Sequence, residues 1–202
     1  MSVQFCLVLL ALSSLTAASD PDCDKLLKPL EDQNLVLGKW IFLAGSSDNK
    51  ETLGELQSIN SSWIEISLMA GSDEMTLRWG DKMDGKCHYG GINFTFSANA
   101  TAVTFTFNST THEHVGMYLV TCPDCIVWMD TFVTEGIKGE TRRGRNLYLF
   151  TKNGTLDDSH LEAFKKQAGC LSFPTDFHFG GTTGEILWCL SAFVTTVTLC
   201  VT

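Results

Sequence analysis

Between residues 61 and 151 apolar and polar side chains alternate in segment after segment, with the period of two that a strand imposes on its two faces. Trp63 to Met69 sets Ile64, Ile66 and Leu68 against Glu65 and Ser67, and Met75, Leu77 and Trp79 alternate with Thr76 and Arg78. Phe94 and Phe96 flank Thr95, and Val103, Phe105 and Phe107 alternate with Thr104 and Thr106. Val115 to Val120, Ile126 to Val133 and Asn146 to Thr151 complete the series, and Gly38 to Ala44 precedes it. About eight strands at roughly regular spacing argue for an antiparallel barrel or sandwich.

The helical signals are few and decide between the two. Asp157 or Asp158 caps a helix in which Leu161, Phe164 and Ala168 share a stripe and Gly169 marks the end. A single late helix after the strands favours an all-β, eight-stranded antiparallel up-and-down barrel with that helix on its outer wall. Glu51 to Ile59, with Leu53 and Leu56 at helical spacing, is expected to be a short helix or lid loop, and Cys23 to Leu30 an extended arm. Gly38-Lys39-Trp40 leads the first strand, and an indole there needs both a cavity and a partner for its N–H.

Residues 1–18 contain no charged side chain, and their apolar run from Val3 to Leu12 is too short to span a membrane. Followed by Thr16-Ala17-Ala18, this reads as a cleaved secretory signal, leaving a domain over 19–179 and an apolar tail over 180–202. The expected location is extracellular. Five N-x-S/T sequons, at Asn60, Asn93, Asn99, Asn108 and Asn153, fit a glycosylated surface. In a secreted chain the seven cysteines beyond the signal are disulfide candidates first. Cys122-Pro123-Asp124-Cys125 falls at a hairpin turn, where paired residues come within disulfide range, so a local staple is expected ahead of a redox site. A net charge of -9 argues against nucleic acid and favours cationic partners.

Signals for catalysis are thin. His112-Glu113-His114 has a metal-binding spacing without a third ligand, and neither a nucleophile elbow nor a phosphate-cradling loop is present. No enzyme activity, metal or cofactor is expected.

The layout resembles a lipocalin, and within that group alpha-1-acid glycoprotein and the fish saxitoxin-, tetrodotoxin- and tributyltin-binding proteins. The residues that carry the likeness are Cys23, Gly38-Lys39-Trp40, Lys86-Cys87-His88-Tyr89, Glu113-His114, Tyr148-Leu149-Phe150 and the run from Phe164 through Cys170 to Phe173. The resemblance implies a monomeric carrier that holds a small hydrophobic or amphipathic ligand, cationic ones included, in the barrel. It also implies disulfides Cys23–Cys170 and Cys87–Cys189, and it places Phe107 where the family has an inward basic residue. The tail departs from the family: Ile186 to Thr202 is uncharged. A lipid anchor, an extra strand and a variant C-terminus stand as alternatives, and the first would make the protein a tethered surface module with membrane contact.

Strand parity supplies the candidate cavity wall. Burial turns Trp40 inward at the closed end, with Phe42 and Ala44 on the same side. The other inward sets are Met75, Leu77 and Trp79; Val103, Phe105 and Phe107; Val127, Met129 and Val133; and Tyr148 and Phe150. The expected ligand contacts are Phe42, Met75, Leu77, Trp79, Phe105, Phe107, Met129, Tyr148 and Phe150. The alternative is that these side chains simply fill a packed core.

Overall fold

The computed structural model describes residues 21–180 apart from residue 108. The signal segment, the tail with Cys189 and Cys200, and Asn108 lie outside the described residues, as does the side chain of Phe107. Eight long strands run in the order expected: β1 (Gly38–Ser47), β2 (Ile59–Leu68), β3 (Glu74–Met83), β4 (Lys86–Thr95), β5 (Thr101–Phe107), β6 (Thr110–Leu119), β7 (Cys125–Glu135) and β8 (Thr141–Thr151). They pair antiparallel in the order β4-β3-β2-β1-β8-β7-β6-β5. The sheet curls until β4 and β5 approach each other, and no backbone ladder joins those two strands among the described residues.

Among the described residues three α-helices decorate this barrel. The segment read as an extended arm begins instead as a short helix, α1 (Pro21–Leu26), held through a Cys23–Cys170 disulfide with Cα atoms 5.5 Å apart, and is extended only beyond it, where Pro29 bridges Leu119. Pairing with α3 supplies the stability that so short a helix lacks alone. The lid segment is α2 (Lys50–Gln57), capped by Asn49, whose side chain accepts from the Glu51 and Thr52 amides. The wall helix is α3 (Asp158–Cys170), capped by Asp157, with Phe164 and Ala168 wholly buried. Gln167 on the same face donates from Nε2 to the Leu26 and Val120 carbonyls, both at 2.8 Å, tying α3 to α1 and the barrel. A ninth strand with no clear sequence signal, β9 (His178–Phe179), pairs with β1 at Ala44 and Gly45.

Two apolar cores follow from this arrangement. One lies inside the barrel and contains Trp40, Phe42, Ile64, Ile66, Met75, Phe94, Tyr118 and Phe150. The other lies between the wall and α3 and contains Ala44, Val127, Leu147, Leu149, Phe164 and Phe173. Ala44 is therefore not on the inner side with Phe42. A bulge between Phe42 and Ala44 inserts Leu43 and reverses the parity of β1 beyond it. Leu68 also departs from expectation: it ends its strand exposed, while Ile64 and Ile66 face the core.

At the closed end, Gly38 takes φ +98°, which an L side chain rarely adopts, and so swings the chain into β1. Two residues on, Trp40 is 2 % exposed and its Nε1 donates to the Val36 carbonyl at 2.7 Å, in the 3₁₀ turn Gln33–Val36. The Lys152 ammonium sits 3.4 Å from the centre of the Trp40 ring and donates to the Leu37 carbonyl at 3.0 Å. Cys122 and Cys125 are bonded across the β6–β7 turn with Cα atoms 5.0 Å apart, and Cys87 is also disulfide-bonded.

Replacing Trp40 with alanine should lower unfolding free energy by about 3–5 kcal/mol, the range for buried aromatics. Lys152→Met, which removes the cation and the carbonyl contact, should cost about 1–2 kcal/mol. Denaturant titration of both variants reads these values, and a Trp40→Ala loss below about 1 kcal/mol would contradict the role of a plug.

Candidate ligand-binding cavity

Above the Trp40 plug the barrel encloses a cavity of about 270 Å³, near the lower end of the range for small-molecule sites. Its wall is mainly apolar and aromatic. Phe42 comes from β1, Ile64 from β2, Leu77 and Trp79 from β3, Ile92 and Phe94 from β4, Val103 and Phe105 from β5, and Tyr148 and Phe150 from β8. Leu56 of α2 and Ile59 also line it. Trp79 lies flat against the facing Gly90, its partner in the β3–β4 register, where a Cβ would overlap the indole.

Of the side chains expected to touch a ligand, Phe42, Leu77, Trp79, Phe105, Tyr148 and Phe150 stand in this wall. Met75 is fully buried in the inner core but does not reach the cavity. Met129 does not belong to the cavity wall; with Val127 it packs in the outer core, and Trp128 and Asp130 take the inward positions. The inward assignment of Val127, Met129 and Val133 is thus off by one residue. Because α3 covers the outside of β7, both faces of that strand are apolar, and alternation alone does not say which set points in.

The residues that sequence reasoning left out are the polar ones. Asp130 is buried and accepts three hydrogen bonds: from Trp128 Nε1 at 2.8 Å, Asn146 Nδ2 at 3.0 Å and His114 Nδ1 at 2.9 Å. Because a carboxylate only accepts, the last contact puts the His114 proton on Nδ1. His112 and His114 face inward rather than toward solvent, both stacked on Phe105, at 4.8 and 5.7 Å between ring centres. Burial first, then the neighbouring His114 and Arg142, hold His112 below its ordinary pKa. The phenols of Tyr118 and Tyr148 are pushed well up by burial and then by the Asp130 charge, so both remain hydroxyl donors.

Asp81 is the second carboxyl in the wall. It sits in register between Ser62 and His88. Desolvation is the main influence and raises its pKa, against the lowering effects of Ser62 and His88. Both carboxyls line the cavity; Asp130 accepts from three donors, whereas Asp81 has the lighter set of partners. Among the described residues no group of three or more His, Cys, Asp or Glu side chains could hold a metal ion.

An eight-stranded up-and-down barrel with a G-x-W plug, an outer-wall helix and a central apolar cavity defines the lipocalin fold class. Residues 23–180 match the family model of the ApoM domain, and the chain belongs to that family. Solved structures with the same fold include the siderocalin Ex-FABP, with a TM-score of 0.57 and 18% identity over 74% of this chain and 95% of that one. A dog lipocalin allergen gives 0.53 and 19% over 71% and 92% of the two chains. The odorant-binding protein OBP1 gives 0.53 and 17% over 72% and 89%. At these identities the likeness is one of fold. No curated protein sequence matches the chain.

Asp81 generates a pH prediction. Its folded-state pKa is raised above the ordinary 3.8, so its ionisation costs folding free energy. That cost is absent below the ordinary value and builds as pH rises through the folded pKa. Asp81→Asn should therefore melt higher than wild type at about pH 7, with the gap closing toward about pH 4. Thermal melts across that range test it, and a gap that widens on acidification would refute the assignment.

Proposed function

We propose that the protein is a secreted glycoprotein carrier, of the alpha-1-acid glycoprotein-like kind, that binds a small hydrophobic or amphipathic ligand reversibly and without catalysis. The observation that carries this reading is the apolar, aromatic cavity with Asp81 in its wall. Shape and apolar lining supply affinity for a hydrophobic body, and a few placed polar groups orient it. A desolvated carboxyl with few partners favours a ligand bearing an amine or guanidinium, since pairing relieves the cost of the buried charge. The Trp79 ring in the cavity wall can add cation–π attraction to such a group. The net charge of -9 draws cations and disfavours nucleic acid. The reading includes a monomeric protein, which a cavity walled by one barrel supports.

α2 covers the cavity mouth. Arg142 pairs with Glu55 at 2.6 Å and Glu51 at 3.7 Å, and Leu56 is buried beneath the helix. Among the described residues no helix is long and apolar enough to cross a membrane.

Trp79 and Trp128 line the cavity, so intrinsic fluorescence should be quenched by bound ligand. In a panel of hydrophobic amines, steroids and fatty acids, a cationic amphiphile should bind best. Asp81→Asn should weaken it roughly tenfold, equivalent to about 1.4 kcal/mol, while sparing a neutral analogue. Phe105→Ala should weaken both. Absence of quenching across the whole panel would defeat the carrier reading, and equal loss for charged and neutral ligands would defeat the role of Asp81.

A further inference from the structure

The barrel has a seam. β4 and β5 end the hydrogen-bonded path, and among the described residues they face each other without a ladder. Among the described residues the edge of β5 thus presents a row of backbone donors and acceptors, the template on which sheets of separate molecules join. Proteins usually blunt such edges with charge, proline or bulges. Here those devices are missing: from Cys87 to His112 the chain contains no Asp, Glu, Lys, Arg or Pro. β5 reads Thr-Ala-Val-Thr-Phe-Thr-Phe, an uncharged segment rich in β-branched and aromatic residues without Gly or Pro, which is the composition of self-stacking strands. Ala102, Thr104 and Thr106 on its outer side are exposed.

Three of the five sequons, at Asn93, Asn99 and Asn108, fall inside this uncharged stretch. Asn93 is on β4 with its side chain exposed on the outer face. Its Oδ1 accepts from Thr76 Oγ1 at 3.1 Å, which leaves the amide nitrogen, the atom that carries a glycan, free to point away from the wall. Asn99 is exposed in the β4–β5 connection, a loop closed by Thr101, whose hydroxyl accepts from the Ser97 amide at 3.0 Å and donates to the Ser97 carbonyl at 2.9 Å.

We propose that N-glycans on Asn93 and Asn99 guard the β4–β5 seam, doing sterically what charges do on other edge strands. An added strand must approach to about 4.8 Å, and a branched, hydrated glycan anchored beside the edge occupies that space. The inference rests on the secretory reading above, and it concerns self-association rather than the ligand.

The test uses the full chain secreted from a glycosylating host, with site occupancy read by mass spectrometry and assembly by size-exclusion chromatography and thioflavin T. Wild type should carry glycans at Asn93 and Asn99 and run as a monomer. Asn93→Gln/Asn99→Gln should lose its monomer peak on incubation, whereas Asn60→Gln/Asn153→Gln should keep it. Adding Thr104→Lys to the first variant, which returns a charge to the exposed side of β5, should restore the monomer. Because unglycosylated chains can fail during secretion, a folded Asn60→Gln/Asn108→Gln/Asn153→Gln protein is also trimmed with an endoglycosidase that leaves a single N-acetylglucosamine and creates no carboxylate, and it too should associate. A monomeric wild type with Asn93 and Asn99 unoccupied, a seam variant that stays monomeric, or equal association of both double variants would overturn the proposal. Fluorescence quenching by a cationic amphiphile, measured on the monomer fraction, reports the carrier function separately and should not change with the glycans.

Discussion

Everything in this barrel that faces a ligand depends on one end being shut, and the clamp around Trp40 shuts it. The indole fills the inner space, its N–H satisfies the Val36 carbonyl, and the Lys152 ammonium covers its face while holding the Leu37 carbonyl. Two neighbouring stretches, the 3₁₀ turn and the start of β1, meet the distant residue after β8 on that one ring. An aromatic of this size can be buried without cost only if its polar atom is paired. The paired carbonyl belongs to the 3₁₀ turn just before β1, so burial of the ring and placement of that turn are one event.

Much of the architecture was legible because a strand with one wet face advertises its register. β3 and β5 alternate cleanly, and Leu77, Trp79, Val103 and Phe105 point where alternation sends them. The reading failed where a second apolar layer exists. β7 packs Ile126 and Trp128 inward and Val127 and Met129 against the α3 layer, so its sequence is apolar on both sides and parity is lost. The bulge at Leu43 misled in another way, since a single inserted residue leaves no compositional mark yet moves Ala44 from one core to the other. α1 was unreadable for a third reason: six residues cannot sustain a helix locally, and a partner far along the chain supplies the difference.

The polar groups of the cavity were the hardest to foresee. A sequence pattern that seeks apolar inward positions assigns Asp81, Asp130 and His114 to the outside by default. Their burial is affordable only through cross-strand partners. Asp130 meets donors from β6, β7 and β8 at once, an arrangement that exists only after the three strands are in register. The two carboxyls therefore differ in setting. Asp130 is a structural acceptor whose neighbours fix the His114 tautomer, while Asp81 has fewer partners and desolvation raises its pKa.

The fastening of the lid over the mouth is sensitive to salt. α2 is fastened by one buried leucine, an Asn49 cap that also donates to the Arg143 carbonyl, and ion pairs from Arg142 to glutamates that are 59% and 72% exposed. Exposed pairs of this sort contribute about 0–1 kcal/mol and weaken as salt screens them. The helix is thus latched far more loosely than the wall beneath it is built. Raising ionic strength would loosen this latch on α2 while leaving the apolar packing of the wall as it was.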